Sequence, residues 1–375
     1  MSIDLQQTAN NWYAVKNIEQ IDSPALLIYF DRVKENIQKA KAMVKNVGCL
    51  RPHVKTNKML EVCQLMLEEG ITKFKCATIA EAEMLAMANA PDILLAYQPA
   101  APKIFRFVQL INKYPKSFFS CLVDNKISAE LINKEAELNA IKINVFIDVN
   151  VGMNRTGIFP MHVLELIDYL RGLSNLNLIG LHAYDGHIND KDLNIRKQQA
   201  DEVFNELHAL KLHAQNNYNL NLKIVVGGSP TFPLHATREN AECSPGTFIF
   251  WDWNYKHSFP EQPFNYAALV ITRVISIIDE QFICIDLGYK SICCEKPLPR
   301  VHFLNSPNAT PFSHSEEHLV LKVADSSNYK IGDVLYGVPV HVCPTVALYE
   351  KANVVLQKNI TASWKIIARD RFIHI

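Results

Sequence analysis

A lysine set between an extended run and a helical one is the first candidate for chemistry in this 375-residue chain. Pro52 pushes Arg51 toward the extended region, β-branched Val54 and Thr56 favour a strand, and Lys58 to Leu67 space their apolar residues as a helix does. Lys55 is therefore expected near the C-terminal end of a strand, Arg51–Thr56. In a βα barrel that end is the catalytic face, where a lysine can serve as an imine-forming amine. A solvated or salt-bridged lysine at a strand end is the plainer alternative.

Five further stretches carry residues of chemical interest. Lys223 to Thr231 reads as a buried strand ending in Gly227, Gly228, Ser229, Pro230 and Thr231, and glycines let backbone N–H groups approach an anion closely. Gly-Gly-Ser-Pro is also an ordinary turn, and Ser244-Pro245-Gly246-Thr247 is a similar, equally open source of donors. Asn150 to Gly157 places Arg155 after a strand end between two glycines, where it can bind a phenolate or carboxylate bidentately or simply face water. In His182-Ala183-Tyr184-Asp185-Gly186-His187, period two puts His182 and Tyr184 on one face, and His182 alone reads as a core histidine. Pro339 to Pro344 contains His341 and Cys343; on a strand these would share a face and converge on one metal, a pair that suits zinc. A buried cysteine beside a surface histidine is the competing reading.

The elements that must position these residues alternate through the first two thirds of the chain. Strand-like runs at Pro24–Phe30, Arg51–Thr56, Lys73–Thr78, Asp92–Tyr97, Ser117–Asp124, Ile143–Val149, Leu178–Tyr184 and Lys223–Ser229 are separated mostly by helical patterns: Ile79–Ala90, Pro102–Tyr114, Ser128–Ala140, Met161–Leu173 and Asp192–Gln215. Such alternation predicts parallel βαβ units. Glu242–Phe250 is a ninth candidate strand where a closed barrel takes eight, so one belongs elsewhere. No GxGxxG follows the first strand, which disfavours a dinucleotide fold. Beyond Trp253 short Val-, Ile- and Phe-rich runs follow, at Ala267–Ile278, Phe282–Asp286, Leu319–Val323, Val334–Val342, Ala352–Leu356 and Trp364–Ala368, predicting a separate all-β domain after a boundary at Asn254–Pro263.

Composition narrows the ligands. The chain is 49% hydrophobic and 20% charged, with 38 basic and 38 acidic residues, so no bulk charge directs it to nucleic acid or a membrane surface, and small molecules are the expected ligands. The longest uncharged stretch, Val334–Tyr349, is broken by Pro339 and Pro344 and holds His341; no bilayer span is expected. Nine scattered cysteines without a CxxC pair fit a reduced, cytoplasmic setting, and Met1 to Asn11 lack the basic and apolar regions of an export signal.

Arg51–Thr56, Cys76–Glu83, Gly152–Gly157, His182–His187, Gly227–Thr231, Ser244–Thr247 and His341–Pro344 occur in the order found in one family. Over most of its length the chain resembles the D-threonine aldolase and D-serine dehydratase family, relatives of alanine racemase among the fold-type III pyridoxal-phosphate enzymes. That resemblance implies a (β/α)8 TIM-like barrel over residues 31–253 and a C-terminal all-β domain, 254–375, that also takes residues 1–30 with the N-terminal strand. Eight strands then remain for the barrel. It further implies pyridoxal 5'-phosphate as cofactor, with Lys55 forming the Schiff base, Arg155 facing the phenolic oxygen and Tyr184 beside the ring. Gly227, Gly228, Ser229, Gly246 and Thr247 would hold the phosphate, His341 and Cys343 a divalent metal, and the β domain of one chain would close the barrel mouth of another in a homodimer. The activity implied is lyase chemistry on β-hydroxy D-amino acids, foremost retro-aldol cleavage to glycine and an aldehyde. Dehydration to a keto acid and ammonia is the alternative, followed by a racemase or a non-catalytic cofactor carrier. Two positions depart from the family: Asn57 stands where histidine is common, and Ser244 where arginine is frequent. Cys343 matches the dehydratase branch, since typical aldolases place an aspartate there.

Overall fold

The computed structural model describes residues 11–375; the expectations that fall on the first ten residues lie outside the described part. The chain forms two compact units, one of residues up to Ile37 with Thr247–Arg369, the other Gln38–Gly246 with Asp370–Ile375. Among the described residues no helix is long and apolar enough to cross a membrane.

Strand β1 (Ala25–Tyr29) belongs to the first unit and is taken up below. The second unit is built on seven parallel strands in sequential order: β2 (Lys73–Cys76), β3 (Asp92–Leu95), β4 (Phe118–Val123), β5 (Ile143–Asp148), β6 (Leu176–Ala183), β7 (Lys223–Val226) and β8 (Ala241–Cys243). β3, β4, β5 and β7 are mostly apolar, as strands buried on both faces tend to be, whereas β2 (Lys-Phe-Lys-Cys) and β8 (Ala-Glu-Cys) carry charged residues. The eighth place is filled by the extended segment at residues 50–54. Arg51 and His53 donate N–H bonds to the carbonyls of Cys243 (2.8 Å) and Pro245 (2.9 Å), while Val54 N–H meets Lys75 O and Lys75 N–H meets Pro52 O, both at 2.9 Å. Residues 50–54 thus join β8 to β2 as isolated bridges, and the cylinder closes.

The expected strand Arg51–Thr56 is corrected in one respect that matters. Pairing ends at Val54, and Lys55 lies in a tight turn that runs to a left-handed Lys58 (φ 53°) before the helix Leu60–Glu68 begins. Glu242–Phe250 is likewise shortened: only β8 is strand, and Thr247–Ile249 form a 3₁₀ turn. Local signals explain the crossover helices. Thr78 caps Ile79–Met87 by accepting from Glu81 N–H at 3.0 Å, and Asp192 caps Leu193–Tyr218, which ends on a left-handed Asn219.

In the first unit β1 runs antiparallel to β9 (Ala268–Ile277) and parallel to β15 (Lys351–Leu356), with Leu26 opposite Val270 and Ala352. The N-terminal strand therefore does join the β sheet. β10 (Phe282–Ile285), β11 (Val301–Phe303), β12 (Thr310–His314), β13 (Leu319–Lys322), β14 (Val334–Pro339) and β16 (Asn359–Lys365) complete it. Leu27, Tyr29, Leu269, Ile271, Tyr336, Val338 and Val355 form one of its core clusters. The run expected at Trp364–Ala368 is the end of β16 followed by a 3₁₀ turn. That strand pairs with β15 across Gln357 and Lys358, both with positive φ (49° and 64°), a tight hairpin without the usual glycine signal. The run expected at Val334–Val342 stops at Pro339, the last residue paired with β11, and Val342–Leu348 is a helix; Pro344 fits its first turn, where the missing N–H costs no bond.

Candidate active site

Three cationic side chains meet one aromatic ring inside the barrel unit. The Lys55 and Lys75 amines lie 5.7 and 5.9 Å from the centroid of the Tyr184 ring, and the Arg155 guanidinium carbon lies 4.9 Å from it. Lys55 is presented by the turn after the closing segment, Lys75 by β2, Tyr184 by the end of β6, and Arg155 by the loop after β5. Lys55, Arg155 and Tyr184, singled out in the sequence, are thus brought together; Lys75 was not foreseen. Its only sequence signal is a second lysine in the four-residue strand Lys73-Phe74-Lys75-Cys76.

The Arg155 loop is held by buried carboxylates. Asp148 accepts from Thr156 Oγ1 (2.8 Å) and Gln98 Nε2 (3.1 Å), and its other oxygen faces His182 Nδ1 at 2.7 Å. Asp124 receives Gln98 Nε2 (2.8 Å) and the Gly157 N–H (3.0 Å). Gly157 has φ +100° and a Cβ there would sit 2.6 Å from Asn150 N, so no other residue fits this turn without moving backbone. Burial works against the charge on Asp148, and the bonds from His182, Thr156 and Gln98 outweigh it, holding the carboxyl below its ordinary range. Burial also pushes His182 down despite Asp148, and pushes His53 well down. With Nδ1 bonded to Asp148, His182 keeps its Nε2 buried and without a hydrogen-bond partner among the described residues.

A second buried network shapes the glycine-rich turn. Asp185 accepts from Thr231 Oγ1 (2.9 Å) and faces His235 Nε2 (2.8 Å), and Thr231 Oγ1 accepts the Gly228 N–H at 3.3 Å. Gly227 has φ +88°, and a Cβ on Gly228 would lie 2.9 Å from the Tyr184 ring. Gly246 N–H reaches Ser229 Oγ at 3.3 Å, which brings the two glycine-bearing turns side by side. Thr247, the next residue, belongs to the β unit, where its hydroxyl lies 3.5 Å from Cys343 Sγ. Of the two departures from the family pattern, Asn57 is structural: its Oδ1 accepts Met59 N–H at 3.1 Å and caps the turn. Ser244 is buried with its hydroxyl unpartnered among the described residues.

In the β unit, His341 and Cys343 do not share a strand face. His341 is the N-cap of the helix Val342–Leu348 and Cys343 its second residue, and the two side chains still interact. Around them the structure adds two residues that sequence reasoning missed: donor atoms of Cys293, Glu295 and His341 all lie within 4.8 Å of one another. Glu295 bonds His341 Nδ1, and Cys293 N–H donates to Thr345 Oγ1 (3.2 Å) in the same helix. Burial lowers His341, but Cys343 and Glu295 outweigh it and raise it to about 9. Asp252 accepts from Tyr255 and Val342 N–H (2.9 and 3.2 Å), capping two helices, and burial raises it to about 6. The aromatic residues just before Asp252 are core: Phe248, Phe250 and Trp251 are buried.

A barrel that ends in a lysine, an arginine and an aromatic ring, with a β domain carrying soft metal donors, defines a recognisable class. Residues 28–252 match the model of the alanine racemase N-terminal domain, and residues 267–355 match that of a serine dehydratase domain. The chain belongs to the alanine racemase N-terminal domain family. It is 25% identical over 362 residues to D-threonine aldolase of Arthrobacter sp., covering 94% of each chain. It is 23% identical over 376 residues to D-threo-3-hydroxyaspartate dehydratase of Delftia sp. strain HT23, covering 92% of this chain and 97% of that one. The crystal structure of D-threonine aldolase from Filomicrobium marinum superposes with a TM-score of 0.83 at 22% identity over 93% and 95% of the two chains. Within this family the chain is an enzyme of the pyridoxal-phosphate-dependent lyase class.

The residues present fit that cofactor. The Lys55 amine stands beside the Tyr184 ring, the unpartnered His182 Nε2 is buried nearby, and a side chain on Gly228 would fill the space against the ring. In the β unit, imidazole, thiol and carboxylate converge in a set suited to a divalent transition metal.

Proposed function

We propose that the protein is a pyridoxal-phosphate- and metal-dependent lyase acting on β-hydroxy D-amino acids, cleaving them in D-threonine-aldolase fashion to glycine and an aldehyde. The observation that carries the reading is the convergence of Lys55 and Arg155 on Tyr184 at the end of a parallel barrel. Lys55 would tether the cofactor, Arg155 would donate to its anionic ring oxygen, and Tyr184 would support the ring. Gly227, Gly228, Ser229, Gly246 and Thr247 would hold the phosphate, and His341 and Cys343 a divalent metal, zinc by the softness of the thiolate. When bound, the cofactor supplies an electron sink that weakens the bonds at Cα, and the metal supplies a Lewis acid.

The chain's own groups then decide the outcome. Asp148 fixes His182 with its Nδ1–H toward the carboxylate, leaving Nε2 as an acceptor inside the barrel. The same carboxylate, through Thr156 and Gln98, keeps Arg155 in place. The Lys55 amine, when not bonded to the cofactor, would hold or move a proton at Nζ. A second reading, D-serine-type dehydration, is favoured by Cys343 and by the serine dehydratase match over residues 267–355. It would use Lys55 to take the Cα proton.

Product analysis separates the two. D-threonine should yield glycine and acetaldehyde; keto acid and ammonia from D-threonine or D-serine would establish the dehydratase instead. A homodimer is proposed with either reading, and an active monomer in light scattering at assay concentration would refute it.

A further inference from the structure

Lys75 is 2% exposed on β2, and among the described residues its ammonium group makes no hydrogen bond or contact ion pair. Its backbone is pinned on both sides of the peptide to Pro52 and Val54, the residues that lead into Lys55. The side chain therefore faces the same Tyr184 ring as Lys55, at 5.9 against 5.7 Å. The charged and titratable groups that face it are Lys55, Arg51, His53 and His182 on one side of the balance and Asp185 and Asp148 on the other. Neither carboxylate neutralises it by contact. Asp148 is filled by His182, Thr156 and Gln98, and Asp185 by Thr231 and His235. A buried ammonium without a bonded anion is costly, so this amine must either lose its proton or gain an anion.

We propose that Lys75 is a second cationic contact for the anionic cofactor inside the barrel and takes up a proton as that ligand binds. The proposal rests on the pyridoxal-phosphate reading of the site and adds to it a residue and a proton. Burial, and after it the neighbouring Lys55, push the Lys75 amine down to about 7. At about pH 8 it is mostly neutral before the ligand arrives, and an anion beside it restores the charge. The step is a transfer from solvent to Nζ, with no bond made to carbon.

The test uses pyridoxine 5'-phosphate, whose alcohol replaces the aldehyde, so that bonding to Lys55 does not enter. Calorimetric titration of the cofactor-free full-length protein at about pH 8, in two buffers of different ionisation enthalpy, reads affinity and proton exchange together. The wild type should bind with net proton uptake. Lys75→Met should bind about tenfold more weakly and lose most of the uptake, and Lys75→Arg, which stays charged, should bind without uptake. Affinity within about twofold of wild type in Lys75→Met, or uptake undiminished in either variant, overturns the proposal. If Lys75→Met fails to fold by circular dichroism, the Lys75→Arg comparison decides alone. Failure of the wild type to bind either the probe or pyridoxal phosphate would strike the cofactor reading itself and the proposal with it.

Discussion

In the barrel, Lys55, Lys75 and Arg155 crowd one ring while the carboxylates around them, Asp148 and Asp185, spend their oxygens on His182, His235, Thr156, Thr231 and Gln98. In the β unit, His341 meets Glu295 directly, with Cys293 and Cys343 beside it. The first cluster is a surplus of cations on a rigid polar frame, and it suits an anionic ligand. The second is a set of soft and anionic donors around one imidazole, and it suits a cation. One chain thus carries two clusters of opposite ligand preference, each with its own residues to substitute.

The largest effect is expected at Lys55. Lys55→Ala should lose both lyase activity and the borohydride-trapped cofactor adduct, mapped by peptide mass spectrometry; an adduct found on another lysine in the wild type would refute the assignment. Chelation should come next, abolishing cleavage of D-threonine while leaving the cofactor's absorbance in place. Activity that survives exhaustive chelation would point to a racemase-like reaction. Glu295→Gln sharpens the contrast between the units: as the carboxylate that orients His341 it should weaken metal binding by about 10- to 100-fold in a competition assay, without altering the cofactor spectrum. Arg155→Ala should leave the adduct intact and lower turnover by about 100-fold, since it tunes the ligand and does not tether it. Unchanged turnover would return Arg155 to the role of a loop residue.

The smallest effect is on stability against pH. The folded values of His182 and His53 lie below the ordinary 6.5, so the unfolded chain binds protons that the folded chain refuses, and stability present above pH 6.5 is lost as pH falls through the folded values. Asp148, lowered from 3.8, adds a second loss with the same sign at more acid pH. Urea unfolding followed by circular dichroism from neutral to acid pH should show the first decline, and His182→Gln should reduce it. A wild-type stability that is flat across this range would contradict the buried, neutral state of His182.

What the sequence made legible follows the same division. The barrel motifs sit near strand ends, which alternation of strand and helix made legible, while the meeting of Lys55, Arg155 and Tyr184 at one place was implied only by the family resemblance. Lys75 was hidden because its strand, Lys73-Phe74-Lys75-Cys76, alternates charged and apolar residues as a half-exposed strand does, although Lys75 is buried. The His341–Cys343 pair was found for a reason the fold does not bear out: β14 ends at Pro339 and a helix cap, not a strand face, sets their spacing. Cys293 and Glu295 reach His341 through a loop held to the helix by Thr345, and no local periodicity records such a contact.

Closure of the barrel by residues 50–54 has a consequence for the order of events in synthesis. Arg51 and His53 complete their backbone bonds only with Cys243 and Pro245, which are made far later. Until then the turn that displays Lys55 has one of its two walls missing. With Lys55 in the proposed role, a growing chain would not offer a finished amine pocket to free aldehydes, and capture of the cofactor would be confined to chains whose cylinder has already been sealed.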